Sequence, residues 1–478
     1  MWSRRRLLEL IIAAGLLPLP TSQASRLKIT GLLTVDTDPN QVAVADFNRD
    51  GKLDLAVASG DSNSTVSVLL GNGDGTFQTQ VRYPVGNFPY GVTAADVNLD
   101  GSPDLLVGNY EDGTMSVLLG NGDGTFQTQL AFVTGGGPET IVVGDFNGDG
   151  LPDVFAASYE GALLLGNGDG TFQAASLFLP STRPLSAAVG DYNCDGQQDL
   201  AITFTSGIFN QGIVEVLLGN GDGTFRIGDS YSLMVSTPYS IAVADLNHDG
   251  RLDLAVTTFE LAAAVLLGHG DGTFTSAVYY TTPYAAYGIA IADFNRDGNP
   301  DLAVANFILP SYLSVFAGNR DGTFQPAVNY KMPEGSNYAD AVAAGDFNGD
   351  GSTDVVLANA TSANLSVLLN TGGTLMRTAS SLNPSRVGQS VTFTTQVKAS
   401  LSGTGTPTGT VTFKDGSKSI KVSLISGTAK FTTSRLTQGT HQIQASYAGD
   451  ANFNPNSAKP LVQVVNPGQG DKVAERGK

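Results

Sequence analysis

The sequence has little of the chemistry on which most enzymes and transition-metal sites depend. It contains a single cysteine, Cys194, which excludes an intramolecular disulfide. Three histidines (His248, His269 and His441) leave little material for imidazole catalysis or a zinc site. Only 15% of the residues are charged, and acidic residues outnumber basic ones by 44 to 26. The resulting net charge of -18 argues against nucleic acid or an anionic membrane surface as a partner.

Long apolar runs are also missing, apart from one near the N-terminus. Arginines at 4–6 precede a mostly apolar segment at 7–19, and the small residues around Ala24 form a cleavage site. Glu9 and Pro18 interrupt the apolar segment, which is too short for a membrane anchor. We therefore predict a signal peptide at 1–24 and a secreted or cell-surface bacterial protein. The arginines also resemble a twin-arginine motif, so the Sec and twin-arginine export routes both stay open.

Glycine, by contrast, is abundant, with 58 copies in 478 residues. Many turn formers, few charges and 41% hydrophobic residues favour an all-β protein with short strands. Self-comparison then finds a nine-residue unit, Asp-Phe-Asn-Arg-Asp-Gly-Lys-Leu-Asp at 46–54, which recurs at spacings of 46 to 54 residues. The six further copies begin at Asp96, Asp145, Asp191, Asp245, Asp293 and Asp346.

A second unit, Gly-Asn-Gly-Asp-Gly-Thr-Phe at 71–77, follows the first in each repeat and decays in the last copy at 370–375. A glycine-rich loop that opens a helix can bind a dinucleotide, but every copy here runs into another apolar segment. We interpret it as a hairpin turn with positive-φ glycines and a buried aromatic anchor.

Strand-length apolar runs separate these units, at 42–45, 55–58, 66–70 and 77–83 in the first repeat. Four strands in each of seven repeats predict a seven-bladed β-propeller over 25–376. The segment 28–35 resembles an outer strand, so we expect it to complete the last blade and leave no open edge. Short alternating strands at 377–466 predict an immunoglobulin-like β-sandwich, followed by a polar tail at 467–478.

Each nine-residue unit offers side-chain oxygens at positions 1, 3, 5 and 9, with a glycine at position 6 for the sharp turn. Oxygen ligands in a flexible loop suit Ca²⁺, and we predict up to seven structural ions. The alternative, that these residues are only turn formers, applies better to one loop than to seven. The predicted ligands are Asp46, Asn48, Asp50, Asp54, Asp96, Asn98, Asp100, Asp104, Asp145, Asn147, Asp149, Asp153, Asp191, Asn193, Asp195, Asp199, Asp245, Asn247, Asp249, Asp253, Asp293, Asn295, Asp297, Asp301, Asp346, Asn348, Asp350 and Asp354.

Positions 1, 5 and 9 account for 21 of the 44 acidic residues, three in each of seven loops. Extracellular calcium loops bind with Kd of about 10⁻⁴ to 10⁻³ M, so each site adds about 0.4 to 1.4 kcal/mol in about 1 mM Ca²⁺. Seven sites would add about 3 to 10 kcal/mol, which rivals the stability of a whole domain. The metals are therefore expected to be structural.

The seven loops resemble the FG-GAP-like, or VCBS-type, repeats of bacterial secreted proteins, which are related to the propeller of integrin α-chains. The resemblance covers about residues 28–375, although the Phe-Gly and Gly-Ala-Pro triplets that name the family are missing. It implies that the loops bind calcium in a hairpin between the first two strands of a blade. Residues 408–415, 439–441 and 447–450 resemble a bacterial Ig-like repeat module, which implies a spacer or surface-display role.

The face opposite the calcium loops is the predicted ligand-binding face. Loops between repeats carry Tyr90, Tyr239, Tyr287 and Tyr338, and aromatic residues on exposed loops can bind a sugar or a protein. The alternative is that several of them only pack against the rim. We therefore predict a non-enzymatic adhesion or ligand-binding module for a glycan or protein. Surface display without a ligand and a polysaccharide lyase or hydrolase remain alternatives, although the glutamates outside the loops look isolated.

Overall fold

The computed structural model describes residues 27–60, 63–179, 183–206, 211–233, 237–260, 262–399, 405–450 and 452–468. The signal peptide predicted at 1–24 lies outside the described residues, as does most of the tail predicted at 467–478. Within the described ranges the chain is almost entirely β-strand, with one short 3-10 helix, η1 (Ala360–Ser362). No helix in these ranges has the length and apolar character needed to cross a membrane.

In the part of the chain before residue 371 that the structure describes, 28 strands form seven four-stranded sheets. In chain order these strands are β1 (Leu27–Thr34), β2 (Pro39–Ala45), β3 (Asp54–Ser59), β4 (Thr65–Leu69), β5 (Val81–Pro84), β6 (Pro89–Ala95), β7 (Asp104–Asn109), β8 (Thr114–Leu118), β9 (Leu130–Val133), β10 (Thr140–Gly144), β11 (Asp153–Ala157), β12 (Ala162–Leu164), β13 (Ser176–Leu177), β14 (Pro184–Gly190), β15 (Asp199–Ser206), β16 (Gln211–Gly219), β17 (Phe225–Ser232), β18 (Pro238–Ala244), β19 (Asp253–Thr258), β20 (Ala262–Leu266), β21 (Val278–Thr281), β22 (Ala286–Ala292), β23 (Asp301–Asn306), β24 (Tyr312–Phe316), β25 (Val328–Lys331), β26 (Ala339–Gly345), β27 (Asp354–Asn359) and β28 (Asn364–Asn370).

Each sheet pairs four strands that are consecutive in the chain, except the last, which has the order β1-β28-β27-β26. The first strands of successive sheets (β2, β6, β10, β14, β18, β22 and β26) contact one another in order, and β26 also contacts β2. This all-β arrangement of four-stranded sheets is consistent with the predicted propeller. We refer to these seven first strands as the inner strands.

Strand β1 supplies the fourth strand of the last sheet. It pairs antiparallel with β28, from Leu27 opposite Asn370 to Thr34 opposite Asn364. The predicted pairing of the N-terminal segment with the last repeat is therefore confirmed. This pairing covers the edge of β28, which would otherwise present a row of unpaired N–H and C=O groups.

The second strand of each sheet is the most deeply buried. All six residues of β3, β7, β19, β23 and β27 are buried, as are the five residues of β11. Their Val, Leu and Ala side chains lack polar alternation because neighbouring sheets cover both faces. The predicted apolar strand runs are confirmed here.

The fourth strand of the first sheet differs from its predicted bounds. The prediction was a strand over 77–83, whereas β5 begins at Val81. Phe77 forms only an isolated bridge with Gly71, which closes the hairpin turn before the chain leaves the sheet. The strand is shorter because the aromatic side chain packs against the neighbouring repeat and not along the sheet edge.

The C-terminal region forms a second β-structure with its own core. A three-stranded sheet, β29-β31-β34, accompanies a sheet of order β30-β37-β35-β32-β33, with β36 paired to β35. Phe393, Phe413 and Tyr447 are among the buried side chains of this core. The strands are β29 (Thr374–Ser380), β30 (Ser385–Arg386), β31 (Val391–Ala399), β32 (Thr410–Asp415), β33 (Lys418–Ser423), β34 (Thr428–Thr433), β35 (Gly439–Tyr447), β36 (Asn456–Ser457) and β37 (Leu461–Asn466).

Candidate metal loops and binding face

The seven predicted metal loops occupy equivalent places in the seven sheets. Each loop leaves the end of an inner strand and enters the second strand, so the loops lie at one end of the inner strands. The glycine at position 6 has a φ of 78 to 89° in every loop, as the turn requires. Position 4 is also left-handed in every loop, including at Leu99 (φ 60°) and Cys194 (φ 57°).

Side-chain oxygens at positions 1 and 3 fold each loop onto its own backbone. In the first loop, the two carboxylate oxygens of Asp46 accept hydrogen bonds from the N–H groups of Asp50 (3.0 Å) and Gly51 (2.7 Å). The Asn48 side-chain oxygen also accepts from the Asp50 N–H, at 3.0 Å. The same three bonds recur at the corresponding residues of the other six loops.

The aspartate at position 9 has a structural role that the sequence did not reveal. Asp54 is completely buried; its Oδ2 accepts from the Phe47 N–H (2.9 Å) and its Oδ1 from the Gly71 N–H (2.7 Å). All seven position-9 aspartates make this pair of bonds, the last of them to Asn370 in place of a glycine. The carboxylate therefore joins the metal loop to the glycine-rich turn.

Burial raises the pKa of these carboxyl groups, and the neighbouring aspartates raise it further. For Asp54 the neighbouring charges are those of Asp46 and Asp50, while the backbone hydrogen bonds act in the opposite direction. The pKa rises to about 6 for Asp104, about 7 for Asp301 and about 8 for Asp354. Each loop thus concentrates negative charge that a bound cation would stabilise.

The loop residues suit calcium in donor type. Carboxylate and amide oxygens are the ligands that Ca²⁺ prefers, and a carboxylate oxygen that accepts one hydrogen bond keeps a second lone pair. In the part of the chain that the structure describes, however, no group of three or more His, Cys, Asp and Glu side chains is placed to hold a metal ion. The loop oxygens point toward backbone N–H groups, and calcium binding stays a prediction.

The glycine-rich units are hairpin turns, as predicted. Gly73 and Gly75 have φ values of 74° and 82°, and the Gly75 N–H donates to the Phe347 carbonyl of the last repeat, at 3.0 Å. The ring of Phe77 packs edge-on against Phe347, with 5.7 Å between centroids. Phe126 and Phe47 form the same contact between the second and first repeats, at 5.4 Å. The turns therefore connect each of these loops to its neighbour.

The structure corrects the placement of the four predicted ligand-binding tyrosines. Tyr90, Tyr239 and Tyr287 lie in the inner strands β6, β18 and β22, and not in loops. Tyr338 directly precedes β26 and has a φ of 57°. The inner strands begin earlier than the apolar runs of the sequence indicate, at Pro89, Pro238 and Ala286.

Three of these tyrosines belong to a continuous row of rings, which we call the aromatic arc: Phe259, Tyr239, Tyr287, Phe307 and Tyr338. Tyr239 stacks on Tyr287 at 3.9 Å between centroids, and their hydroxyl oxygens are 3.1 Å apart. Tyr287 stacks on Phe307 at 4.3 Å, and Phe307 lies 4.8 Å from Tyr338. Phe259 lies 6.2 Å from Tyr239 at the other end. Tyr287 therefore has a ring stacked on each of its faces, and the arc is a packed row of rings.

Tyr90 lies in a second group, together with an ion pair whose arginine is half exposed. Its ring is 6.2 Å from that of Tyr110. Arg183 forms a 2.6 Å ion pair with Glu139 and donates to the Tyr110 hydroxyl at 2.6 Å. The guanidinium carbon lies 5.7 Å from the centroid of the Tyr110 ring, which adds a cation–π contact.

The strand register places residues of the aromatic arc and of the Tyr90 group at equivalent positions. In each repeat, the last residue of the inner strand pairs with the position-9 aspartate. The residue five positions before that last residue lies in the inner strand or directly before it. In all seven repeats this residue stands six positions before the first loop aspartate. We call this set the inner ring: Asn40, Tyr90, Glu139, Leu185, Tyr239, Tyr287 and Asp340.

The inner ring and the metal loops lie at opposite ends of the inner strands. Six strand residues span about 20 Å. The predicted separation of loop face and aromatic face therefore agrees with the strand register. The charge of Asp340 acts on both Tyr90 and Tyr287 and contributes to their raised pKa, although burial is the main cause.

Comparisons with known proteins agree with the repeat architecture. The model of the FG-GAP-like repeat matches residues 46–107, 96–156, 145–202, 204–256, 257–304 and 305–357. The chain belongs to the FG-GAP-like repeat family. In this FG-GAP-like repeat protein, residues 377–466 match the bacterial Ig-like domain (group 3). A comparison with curated proteins finds no match.

Solved structures support the fold of this FG-GAP-like repeat protein. A chain from the crystal structure of BBS1N in complex with ARL6DN, soaked with lead, matches with a TM-score of 0.50 and 13% identity. A second crystal of the same complex, soaked with mercury, matches with a TM-score of 0.51 and 13% identity. Both matches cover 72% of this chain and 97% of the other. At this identity the similarity concerns the fold alone.

Sequence reasoning missed three residues of the FG-GAP-like repeat protein that the structure brings to the aromatic face. Glu139 looked isolated, but it is paired with Arg183 beside Tyr110. Asp340 was not considered, although it occupies the position that Tyr90 and Tyr287 occupy in other repeats. The fixed offset of six residues before each loop could have identified Glu139 and Asp340.

Proposed function

We propose that this protein is an exported, calcium-stabilised propeller of seven blades that binds a glycan or a protein through the face opposite its metal loops. The aromatic arc is the observation that carries the proposal. Aromatic rings in a row provide contact area at low cost in conformational entropy, as they do in many binding surfaces. The FG-GAP-like repeats and the Ig-like domain support a surface or adhesion module.

Seven calcium ions would act as structural supports in this proposal. The first, third, fifth and ninth residues of each loop would hold the ion, which would compensate the charge that accumulates there. The supporting observation is the raised pKa of the position-9 aspartates, caused by burial and by the adjacent carboxylates. The ion would thus favour the ionised loop.

The second candidate function is surface display without a ligand. The Ig-like domain at 377–466 favours it, since such a module can act as a spacer. Domains of both types are typically non-catalytic, and we propose that the protein is not an enzyme.

Two experiments test the proposal. The first compares thermal unfolding in about 1 mM Ca²⁺, in Mg²⁺ and in excess EDTA. A rise in Tm that is specific to calcium supports calcium binding by the loops. An equal Tm in all three conditions contradicts them. The second measures binding to glycan and matrix-protein arrays in calcium, with the double variant Tyr239→Ala/Tyr287→Ala and, as control, Tyr279→Ala on the outer strand β21. Loss of a bound partner only in the double variant supports the aromatic face.

A further inference from the structure

The inner ring contains two carboxylates whose surroundings differ. Glu139 is neutralised by Arg183 at 2.6 Å. Among the described residues, Asp340 forms no ion pair, and its Oδ1 is buried without a hydrogen-bond partner. A carboxylate oxygen that is buried without a partner costs free energy, so this one calls for an explanation.

The neighbours of Asp340 include aromatic and acidic residues, and the uncharged Asn40 follows it around the inner ring. Tyr287 precedes it in the inner ring, Tyr338 lies two residues before it, and the charge of Asp38 acts on it. Burial together with Asp38 raises the pKa of Asp340 to about 7. A positive charge placed beside it would relieve both effects.

At Glu139, the structure shows which kind of group compensates a carboxylate of the inner ring. There a cation, the Arg183 guanidinium, contacts a carboxylate and stands over a tyrosine ring, with its hydroxyl as a further partner. Asp340 has a carboxylate and aromatic rings of the same kind nearby. The two sites therefore share their chemistry, except that the chain provides the cation at only one of them within the described ranges.

We propose that the inner ring binds a protonated alkylamine, with its ammonium group at Asp340 and its alkyl stem along Tyr287 and Phe307 of the aromatic arc. A lysine side chain of a protein partner has this chemistry. The inference rests on the proposed function, because it assigns a ligand to the same face, and it selects a protein over a glycan.

The charge and composition of the site favour an amine over the other ligands. A neutral sugar would contact the rings but leave the carboxylate uncompensated. A divalent metal requires several converging oxygen ligands, whereas one acidic residue, Asp38, acts on Asp340. An ammonium group needs one carboxylate, which Asp340 provides, and its alkyl stem needs apolar surface, which the aromatic arc provides.

Calorimetric titration of the full-length protein in saturating calcium tests the inference. The probe is Nα-acetyl-lysine amide, and the neutral control is its Nε-acetylated form. We expect the probe to bind and the control to bind at least about 10-fold more weakly, since one charge-assisted contact is lost. Asp340→Asn should weaken the probe by a similar factor, whereas Tyr279→Ala should not. Thermal unfolding of both variants verifies that they are folded.

Other outcomes would overturn the inference. Equal affinity for the acetylated control, or unchanged affinity in Asp340→Asn, would exclude a charge-dependent site. Stronger binding of glucosamine than of the lysine probe would indicate an amino sugar, and displacement of the probe by Mg²⁺ would indicate a divalent-cation site. Either result contradicts the lysine assignment.

The array experiment separates this inference from the proposed function. If the lysine probe binds but no array partner does, the inference stands and the proposed adhesion role fails. If an array partner needs Tyr239 and Tyr287 but is indifferent to Asp340→Asn and to added probe, the proposed function stands and the inference fails.

Discussion

The Oδ1 atom of Asp54 lies 2.7 Å from the backbone nitrogen of Gly71, seventeen residues later in the chain. This hydrogen bond connects the predicted metal loop to the glycine-rich turn within one sheet. Because the other oxygen of Asp54 accepts from the Phe47 N–H, one buried carboxylate fixes two separate backbone segments. The last loop residue therefore stabilises the repeat whether or not a metal binds.

Replacing Asp54 by alanine should destabilise the protein even in EDTA. Two buried N–H groups lose their acceptor, which costs about 2 to 4 kcal/mol in the free energy of unfolding. Urea unfolding measures the loss, with Asp74→Ala as control, because Asp74 is an exposed turn residue that accepts hydrogen bonds from Thr76 in the same turn. A loss seen in calcium but not in EDTA would show that Asp54 acts only through a metal.

Replacing Leu99 by glycine should stabilise the protein. Leu99 is 54% exposed and has a φ of 60°, a conformation that costs an L-residue about 1 to 2 kcal/mol. Part of this gain is offset by the larger backbone entropy of glycine in the unfolded chain, which leaves about 0.5 to 1 kcal/mol. The reverse change, Gly148→Leu at the same loop position, should destabilise by a similar amount. Chemical denaturation of both variants checks the pair, and effects of the same sign would contradict the conformational explanation.

Replacing Gly71 by alanine should be strongly destabilising. A Cβ atom there would lie 2.2 Å from the Leu53 carbonyl oxygen, which belongs to the backbone and cannot move aside cheaply. We expect a loss of about 2 kcal/mol or more, measured as a lower midpoint of urea unfolding. Gly31→Ala is the matched control, since no atom lies within 4 Å of its added Cβ. A much smaller loss of stability in Gly71→Ala would mean that the glycine-rich turn can move away from the metal loop without cost.

Replacing Asp340 by asparagine should change how stability depends on pH. Burial and Asp38 raise the pKa of Asp340 from 3.8 to about 7, so the folded protein binds its proton more tightly than the unfolded chain between about pH 4 and 7. Asp340 therefore lowers stability as the pH rises through this window. The groups that act together with it are Asp38, Tyr90 and Tyr287.

The Asp340→Asn variant should consequently have a higher Tm than the wild type at pH 8 and nearly the same Tm at pH 4. Other titrating groups are common to both proteins and cancel in the difference. Asp229→Asn, at an exposed residue of β17, controls for the change in net charge. A Tm difference that is independent of pH would rule out the uncompensated carboxylate.

The sequence by itself determined the repeated part of the fold. Seven copies of a loop that needs a glycine at position 6, separated by Val, Leu and Ala runs, specify four-stranded sheets because both signals are local. The pairing of the N-terminal segment with the last repeat was also predictable, since residues 28–35 resemble an outer strand. The glycine-rich turn and its phenylalanine anchor followed from the same local signals.

Only the tertiary structure decided how residues from different repeats meet. The bond from Gly71 to Asp54 and the grouping of Glu139 with Arg183 depend on segments that are apart in the chain, which no local pattern encodes. The same is true of Asp340, which is one acid among 44 in the sequence and lies beside an aromatic stack only after the sheets assemble. Burial and the proximity of charges decide what such residues do, and both are properties of the packed chain.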